Sequence, residues 1–154
     1  MIRQLAILIC LTSLVGCSTP GPMQTTFGPI NTPVFDAIVL DAINSNTPKV
    51  KFKSNSFIFY QNGDVSYFSP NVFIVTEDGV YDVWWDSVAY KYNLLAKIPL
   101  NNIGEIYYKT YEREYLPDIE LLIIKTKNND ELGFSISGSS VAKSILDEML
   151  QTKF

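Results

Sequence analysis

Apolar residues along this chain change their spacing three times. Residues 5–14 form an almost unbroken apolar block, residues 18–31 carry few apolar side chains, residues 34–136 are apolar in short runs separated by turns, and residues 141–150 repeat at helical spacing. The last pattern puts Val141, Ala142, Ile145, Leu146, Met149 and Leu150 on one face of a helix that starts near Ser139 or Ser140. Upstream, Thr32 and Pro33 read as a cap and first helical position for residues 34–43, which are apolar apart from Asp36 and Asp41. Such a helix either covers the core or offers a face to a partner. Between the two helices, strands are predicted over 57–61, 65–68, 72–76, 80–85, 88–92, 95–100, 105–115, 119–126 and 131–136. Asn62-Gly63 and Asp78-Gly79 are two-residue hairpin signals, and residues 128–130 make a further turn. These strands are too many for an open sheet with bare edges. The expected fold is therefore mainly β (α+β), a small antiparallel barrel or sandwich closed by the C-terminal amphipathic helix.

The 154 residues, 47% apolar and 18% charged, suit one compact domain. Its expected bounds are residues 32–154, behind a Ser-, Thr-, Pro- and Gly-rich tether at 17–31 in which Pro20, Pro22 and Pro29 oppose regular structure. Phe27 in that tether either dips into a membrane interface or packs on the domain. The leader has the parts of a secretory signal: Arg3, the apolar block and small Gly16. It is too short to span a bilayer, which takes about 20 apolar residues.

Leu14, Val15, Gly16 and Cys17 resemble the lipobox of bacterial lipoproteins. The resemblance implies cleavage between Gly16 and Cys17, diacylglycerol on the Cys17 sulfur, and an acyl chain such as palmitate on its freed amine. Two or more chains hold a protein stably at a bilayer, so the expectation is a membrane-anchored envelope protein that does not span. Ser18 stands where many enterobacterial lipoproteins kept in the inner membrane have Asp, which implies the outer membrane, facing the periplasm. Cys10 leaves with the residues 1–16 signal peptide and Cys17 is consumed by lipid, so no thiol remains for a disulfide, metal or nucleophile.

Loss of Arg3 leaves 11 basic against 16 acidic residues. A net charge near −5 with no basic run argues against nucleic acid as a partner. The chain has no His, which removes the commonest general base and metal ligand. Ser140 and Lys143 have the S-x-x-K spacing of penicillin-recognising enzymes, but the later motifs of those enzymes are missing and the pair opens the last helix. Glu112, Glu114, Asp118 and Glu120 read as a solvated strand end. The chain is read as no enzyme, with no metal and no cofactor beyond the lipid on Cys17.

The run Phe73-Ile74-Val75-Thr76-Glu77-Asp78-Gly79-Val80-Tyr81, the step Ile98-Pro99-Leu100-Asn101-Asn102-Ile103 and the final hairpin and helix resemble the pleckstrin-homology superfold, especially its GRAM-like and bacterial versions. The resemblance implies binding of phosphoinositides, peptides or protein surfaces. The early hairpin tip, Gln61-Asn62-Gly63-Asp64, has no cation for an inositol phosphate, so a protein-binding or scaffolding module in the envelope is the expected function. A lipocalin-like barrel carrying a small hydrophobic ligand is the alternative.

Two surface patterns are candidates for contact. Lys49, Lys51 and Lys53 alternate with Val50 and Phe52, either guarding an edge strand or facing anionic headgroups near the anchor. Tyr107, Lys109, Tyr111, Arg113 and Tyr115 fall on one strand face opposite Ile106 and Tyr108, either as cross-strand pairs or as a partner-binding ladder. Trp84 and Trp85 point to opposite faces, one into the core and one toward a second interface.

Overall fold

The computed structural model describes residues 21–152. Gly16, Cys17 and the cleavage site lie outside them. After a short 3-10 helix at Pro22–Gln24, inside the segment expected to lack regular structure, two α-helices and seven strands follow in the order α1 (Phe35–Ala42), β1 (Phe52–Gln61), β2 (Asp64–Val75), β3 (Gly79–Asp86), β4 (Lys91–Pro99), β5 (Ile103–Tyr111), β6 (Ile119–Thr126), β7 (Glu131–Ile136) and α2 (Ser139–Gln151), with a second 3-10 turn at Leu100–Asn102. Among the described residues no helix is long and apolar enough to cross a membrane.

The strands form one antiparallel sheet in the order β4-β3-β2-β1-β7-β6-β5. Laid flat, seven strands span about 29 Å. Yet Ile98 of β4 and Ile103 and Ile106 of β5, from opposite edges, share one buried cluster with Ala142 and Leu146 of α2. The sheet is therefore curled into a half-barrel with α2 in its hollow. The expected closure is corrected: β4 and β5 do not pair, because the short turn Leu100–Asn102 between them sends β5 onto β6 instead. What covers the inner face is the helix, through two side chains with no exposure.

Differences from the expected strands have local causes. Residues 65–68 and 72–76 join into the single strand β2 through Pro70. A proline fits there because the β1 register slips between Ser56 and Ile58, while pairing to β3 starts only at Asn71, so no ladder bond needs its missing N–H. Residues 88–90 are a turn, not strand. The Asp86 carboxylate accepts the backbone N–H of Val88 and of Ala89, each at 2.9 Å, and Tyr90 takes a left-handed φ of +51°. The strand expected over 105–115 stops at Tyr111. Helix α1 starts at Phe35, later than the cap reading implied, because the Thr32 hydroxyl turns back to the Pro29 carbonyl at 2.7 Å.

The turn between β2 and β3 is tied by one carboxylate. Thr76, Tyr81 (2.8 Å) and Ser45 (3.2 Å) all donate to Asp78, and Leu100 N–H bonds its carbonyl at 2.8 Å. Burial opposes ionisation of Asp78, but these donors outweigh it and hold its pKa below the usual carboxylate value. The next residue must be glycine, since a Cβ there would sit 2.3 Å from the Ile98 carbonyl oxygen.

Residues 71–75 of β2 and 80–83 of β3 are buried on both faces, which explains the unbroken run Val72-Phe73-Ile74-Val75. Their outer face carries a second cluster in which Phe35, Val39 and Ile43 of the α1 region cover Val72, Ile74, Tyr81, Val83, Trp85 and Tyr92. Residues 22–30, read from the sequence as part of a tether, are seated against this cluster. Trp85 Nε1 donates to the Met23 carbonyl at 3.0 Å, Tyr92 donates to that of Phe27 at 2.7 Å, and Ile30 is 7% exposed. Phe27 packs edge-on against Phe57 with ring centroids 5.1 Å apart, which is the domain-packing choice for that residue.

Candidate functional site

Of the five residues of the expected tyrosine and cation ladder, the structure brings together three. Tyr107, Lys109 and Tyr111 lie on the outer face of β5, where rings shield Leu121 and Ile123. Two residues missed in the sequence complete the array. Glu131 accepts from Tyr107 at 2.6 Å and from Tyr60 at 3.1 Å, and Lys109 donates to the Tyr60 hydroxyl at 2.7 Å while its ammonium stands 4.7 Å from the Tyr60 ring centre. Burial and the bond to Glu131 push the Tyr107 phenol up to about 12, and the same bond, followed by that from Tyr60, lowers the Glu131 carboxyl. Only the pairing of β1 with β7 brings Tyr60 to this cluster, and that long-range register has no local sequence signal. Arg113 leaves the ladder: its guanidinium bonds the Pro117 carbonyl, with Nε at 2.7 Å, within its own loop. Tyr115 stands 93% exposed in that loop. With its donors and acceptors satisfied internally, the Tyr60-Tyr107-Lys109-Glu131 array reads first as a cover for the small apolar cluster beneath it.

The three lysines do not share an edge. β1 is the central strand of the sheet, so edge protection by them is corrected. Lys51 pairs with Glu77 at 3.2 Å, and Lys53 lies 4.0 Å from Asp36 and 4.3 Å from the Phe35 ring centre. Lys49, before β1, lines a shallow groove with Lys51 and α2 residues Ile145 and Glu148. Trp84 and Trp85 do point to opposite faces, at 38% and 6% exposure.

The remaining catalytic candidates do not converge. Glu112, Glu114, Asp118 and Glu120 are exposed. Lys143 pairs with Asp147 one helical turn on, at 2.6 Å, rather than with Ser140. Helix α2 follows Gly138 at φ +73° without a side-chain cap. Among the described residues no group of three His, Cys, Asp or Glu could hold a metal.

A polar cluster that the sequence reading passed over lies on the inner face beyond α2. Asn71, Trp84 and Asn93 are consecutive cross-strand neighbours, and Asp82 sits opposite Phe73. Asn71 Nδ2 donates to Asp82 Oδ2 at 2.8 Å. The other amide and carboxylate atoms, Asn71 Oδ1, Asp82 Oδ1 and Asn93 Nδ2, are buried without a partner. Burial pushes the Asp82 carboxyl up to about 7, against the lowering effect of the Asn71 bond. This arrangement holds a proton near neutral pH.

A concave surface lies on the outer face at the free edge of β4. A groove of about 790 Å³ runs between α1 (Ala37, Ile38, Asp41) and β4 (Tyr92, Leu94), ending near Tyr90 and Lys91. Small Ala37 and Ala42 on the helix side leave the space. Among the described residues β4 pairs only with β3, so its other edge presents unpaired backbone donors and acceptors. Leu94 and Leu95 stand beside it at 46% and 48% exposure. A free strand edge beside a groove is the geometry used in β-strand addition. No protein-family model matches the chain, and no curated protein is significantly similar to it.

Proposed function

We propose that the chain is a lipoprotein of the bacterial envelope, anchored through acylated Cys17 in the outer membrane and facing the periplasm, whose pleckstrin-like half-barrel is a protein-binding or scaffolding module. The lipobox residues Leu14-Val15-Gly16-Cys17 support the anchor. The seven-stranded meander, curled so that β7 returns to β1 and filled by the C-terminal helix, supports the pleckstrin-like assignment. The occupied inner face gives little support to the alternative, a lipocalin-like carrier of a small hydrophobic ligand. Phe73, Phe134, Ala142 and Leu146 fill that face, each at most 1% exposed.

The observation that carries the reading is the unpaired edge of β4 beside the α1 groove. Strand addition there would satisfy the edge backbone and bury Leu94 and Leu95, combining main-chain affinity with side-chain selectivity. The anchor raises the local concentration of the module near membrane-bound partners, so modest contacts suffice. A photocrosslinking residue at Leu94 in intact cells is expected to give a discrete protein adduct that disappears with Leu95→Lys, while the same residue at Val141 on α2 gives none. Absence of any adduct at Leu94, or equal adducts at both positions, would remove the β4 edge as the binding site.

A further inference from the structure

The start of the described chain and the β3–β4 turn meet at one end of the molecule. Trp85 holds the Met23 carbonyl, and Gln24, Thr25 and Thr26 share a cleft of about 260 Å³ with Trp84 and Ser87. Only Ser18, Thr19, Pro20 and Gly21 separate Cys17 from Pro22. Five residue steps reach about 18 Å at full extension. A bilayer holding Cys17 therefore lies within a short reach of the turn while residues 22–30 remain seated.

The turn has an unusual make-up for one that faces water. Val88 is 88% exposed and Tyr90 52% exposed, with Ala89 between them and Lys91 behind. Asp86 fixes the loop through the Val88 and Ala89 N–H groups, so the apolar tip is held out by the fold itself. Turns in water favour Gly, Asn, Asp and Ser. An aliphatic side chain, a tyrosine with a polar tip and a lysine able to extend toward water are the chemistry of a bilayer interface.

We propose that the β3–β4 turn inserts Val88 and Tyr90 into the interface of the bilayer that holds Cys17, forming a second contact that sets the orientation of the domain. This rests on the anchored reading above. The contact is apolar rather than ionic: Asp86 and Lys91 offset each other at the turn, and a net charge near −5 gives the mature chain no general attraction to anionic lipid. Alone, two side chains bind a bilayer weakly; the anchor supplies the local concentration that makes insertion the resting state.

The mature chain has no free thiol once Cys17 is acylated, so Val88→Cys gives a single attachment point for a polarity-sensitive dye. Full-length acylated protein carrying it is placed in phosphatidylcholine vesicles containing brominated lipid. Val141→Cys, 53% exposed on α2, is the comparison. Quenching at position 88 is expected to be roughly threefold or more stronger than at 141, unchanged by added phosphatidylglycerol and lost with Tyr90→Asp. Equal quenching at both positions overturns the proposal. A position-88 dye that stays quenched after Tyr90→Asp inserts by itself and overturns it as well. The intact mass of the same sample reports acylation separately: an unacylated Cys17 defeats the anchored reading and the insertion with it, whereas an acylated protein with a wet position 88 defeats the insertion alone.

Discussion

Asp82 makes this fold weaker as the pH rises from about 4 to about 7. Its side chain is 1% exposed, and the residues around it on the inner face, Asn71, Phe73 and Ala96, carry no charge. The folded pKa is about 7 against 3.8 for an ordinary aspartate side chain. Below 3.8 both states are protonated and the group contributes nothing. Between the two values the unfolded chain has lost the proton that the folded chain keeps, so fewer protons are bound in the unfolded state and stability falls as pH rises. Above 7 both are ionised and the penalty is full, about 4 kcal/mol, since each pKa unit is worth about 1.4 kcal/mol. From pH 5 to pH 8 the loss is about 2.5 kcal/mol. The chain has no His, the side chain that ordinarily titrates in this window. The downward-shifted acids Asp78 and Glu131 act below it, losing their contribution as pH falls through their folded values.

Asp82→Asn keeps the shape and the acceptor for Asn71 while removing the charge. Urea unfolding of the soluble domain, followed by tryptophan emission at pH 5 and pH 8, should show the parent losing about 2.5 kcal/mol between them and the variant almost none. The variant should also exceed the parent by about 4 kcal/mol at pH 8. A parent that is equally stable at both pH values, or a variant destabilised by the same amount at both, would refute the assignment of a buried, uncompensated carboxyl.

Two further outcomes follow from contacts described above. Gly79→Ala should destabilise the domain by about 3 kcal/mol in the same melts, because the new Cβ has only the Ile98 backbone to displace; a loss below 1 kcal/mol would show that the turn can relax around it. Removing residues 21–31 should uncover Trp85, moving its emission to the red and lowering stability by about 3 kcal/mol for the lost burial of Ile30 and Phe27, while an unchanged spectrum would mean that the segment does not seat in solution.

The parts of the fold that depend on near neighbours were legible in the chain. The helical spacing from Val141 to Leu150 gave α2, Asn62-Gly63 gave the first hairpin, and the opposition of Trp84 to Trp85 followed from strand alternation. The parts that depend on distant pairing were not. Lys51 and Lys53 look like edge guards until β7 is placed beside β1, and Tyr60 and Glu131 have no reason to meet before that pairing exists. Val88 and Tyr90 have the composition of a strand, but the side chain of Asp86 competes for their backbone and makes a turn. Pro20, Pro22 and Pro29 read as opposing regular structure over residues 18–31, yet Pro22–Gln24 forms a short 3-10 helix, since proline fits a first helical turn, and whether the segment packs is decided by the indole of Trp85 and the hydroxyl of Tyr92, 62 and 65 residues away.

That packing ties attachment to folding. An open half-barrel has two faces to cover, and here α2 covers the inner one while α1 and residues 22–30 cover the outer face of β2–β4. A freely hanging linker would let the domain tumble beneath its anchor, with its stability indifferent to tension on Cys17. Under the proposed anchoring, seated residues would reverse both consequences: Cys17 is a few residues in sequence from a segment whose removal exposes a core tryptophan, and that segment packs beside one particular turn. Under that anchoring, force on Cys17 would be borne first by the hydrogen bonds of Trp85 and Tyr92 to Met23 and Phe27, not by the sheet. Each such bond contributes only about 1 kcal/mol net, so this clasp opens well before the strands separate, and the orientation of the domain is the first property to be lost when it does.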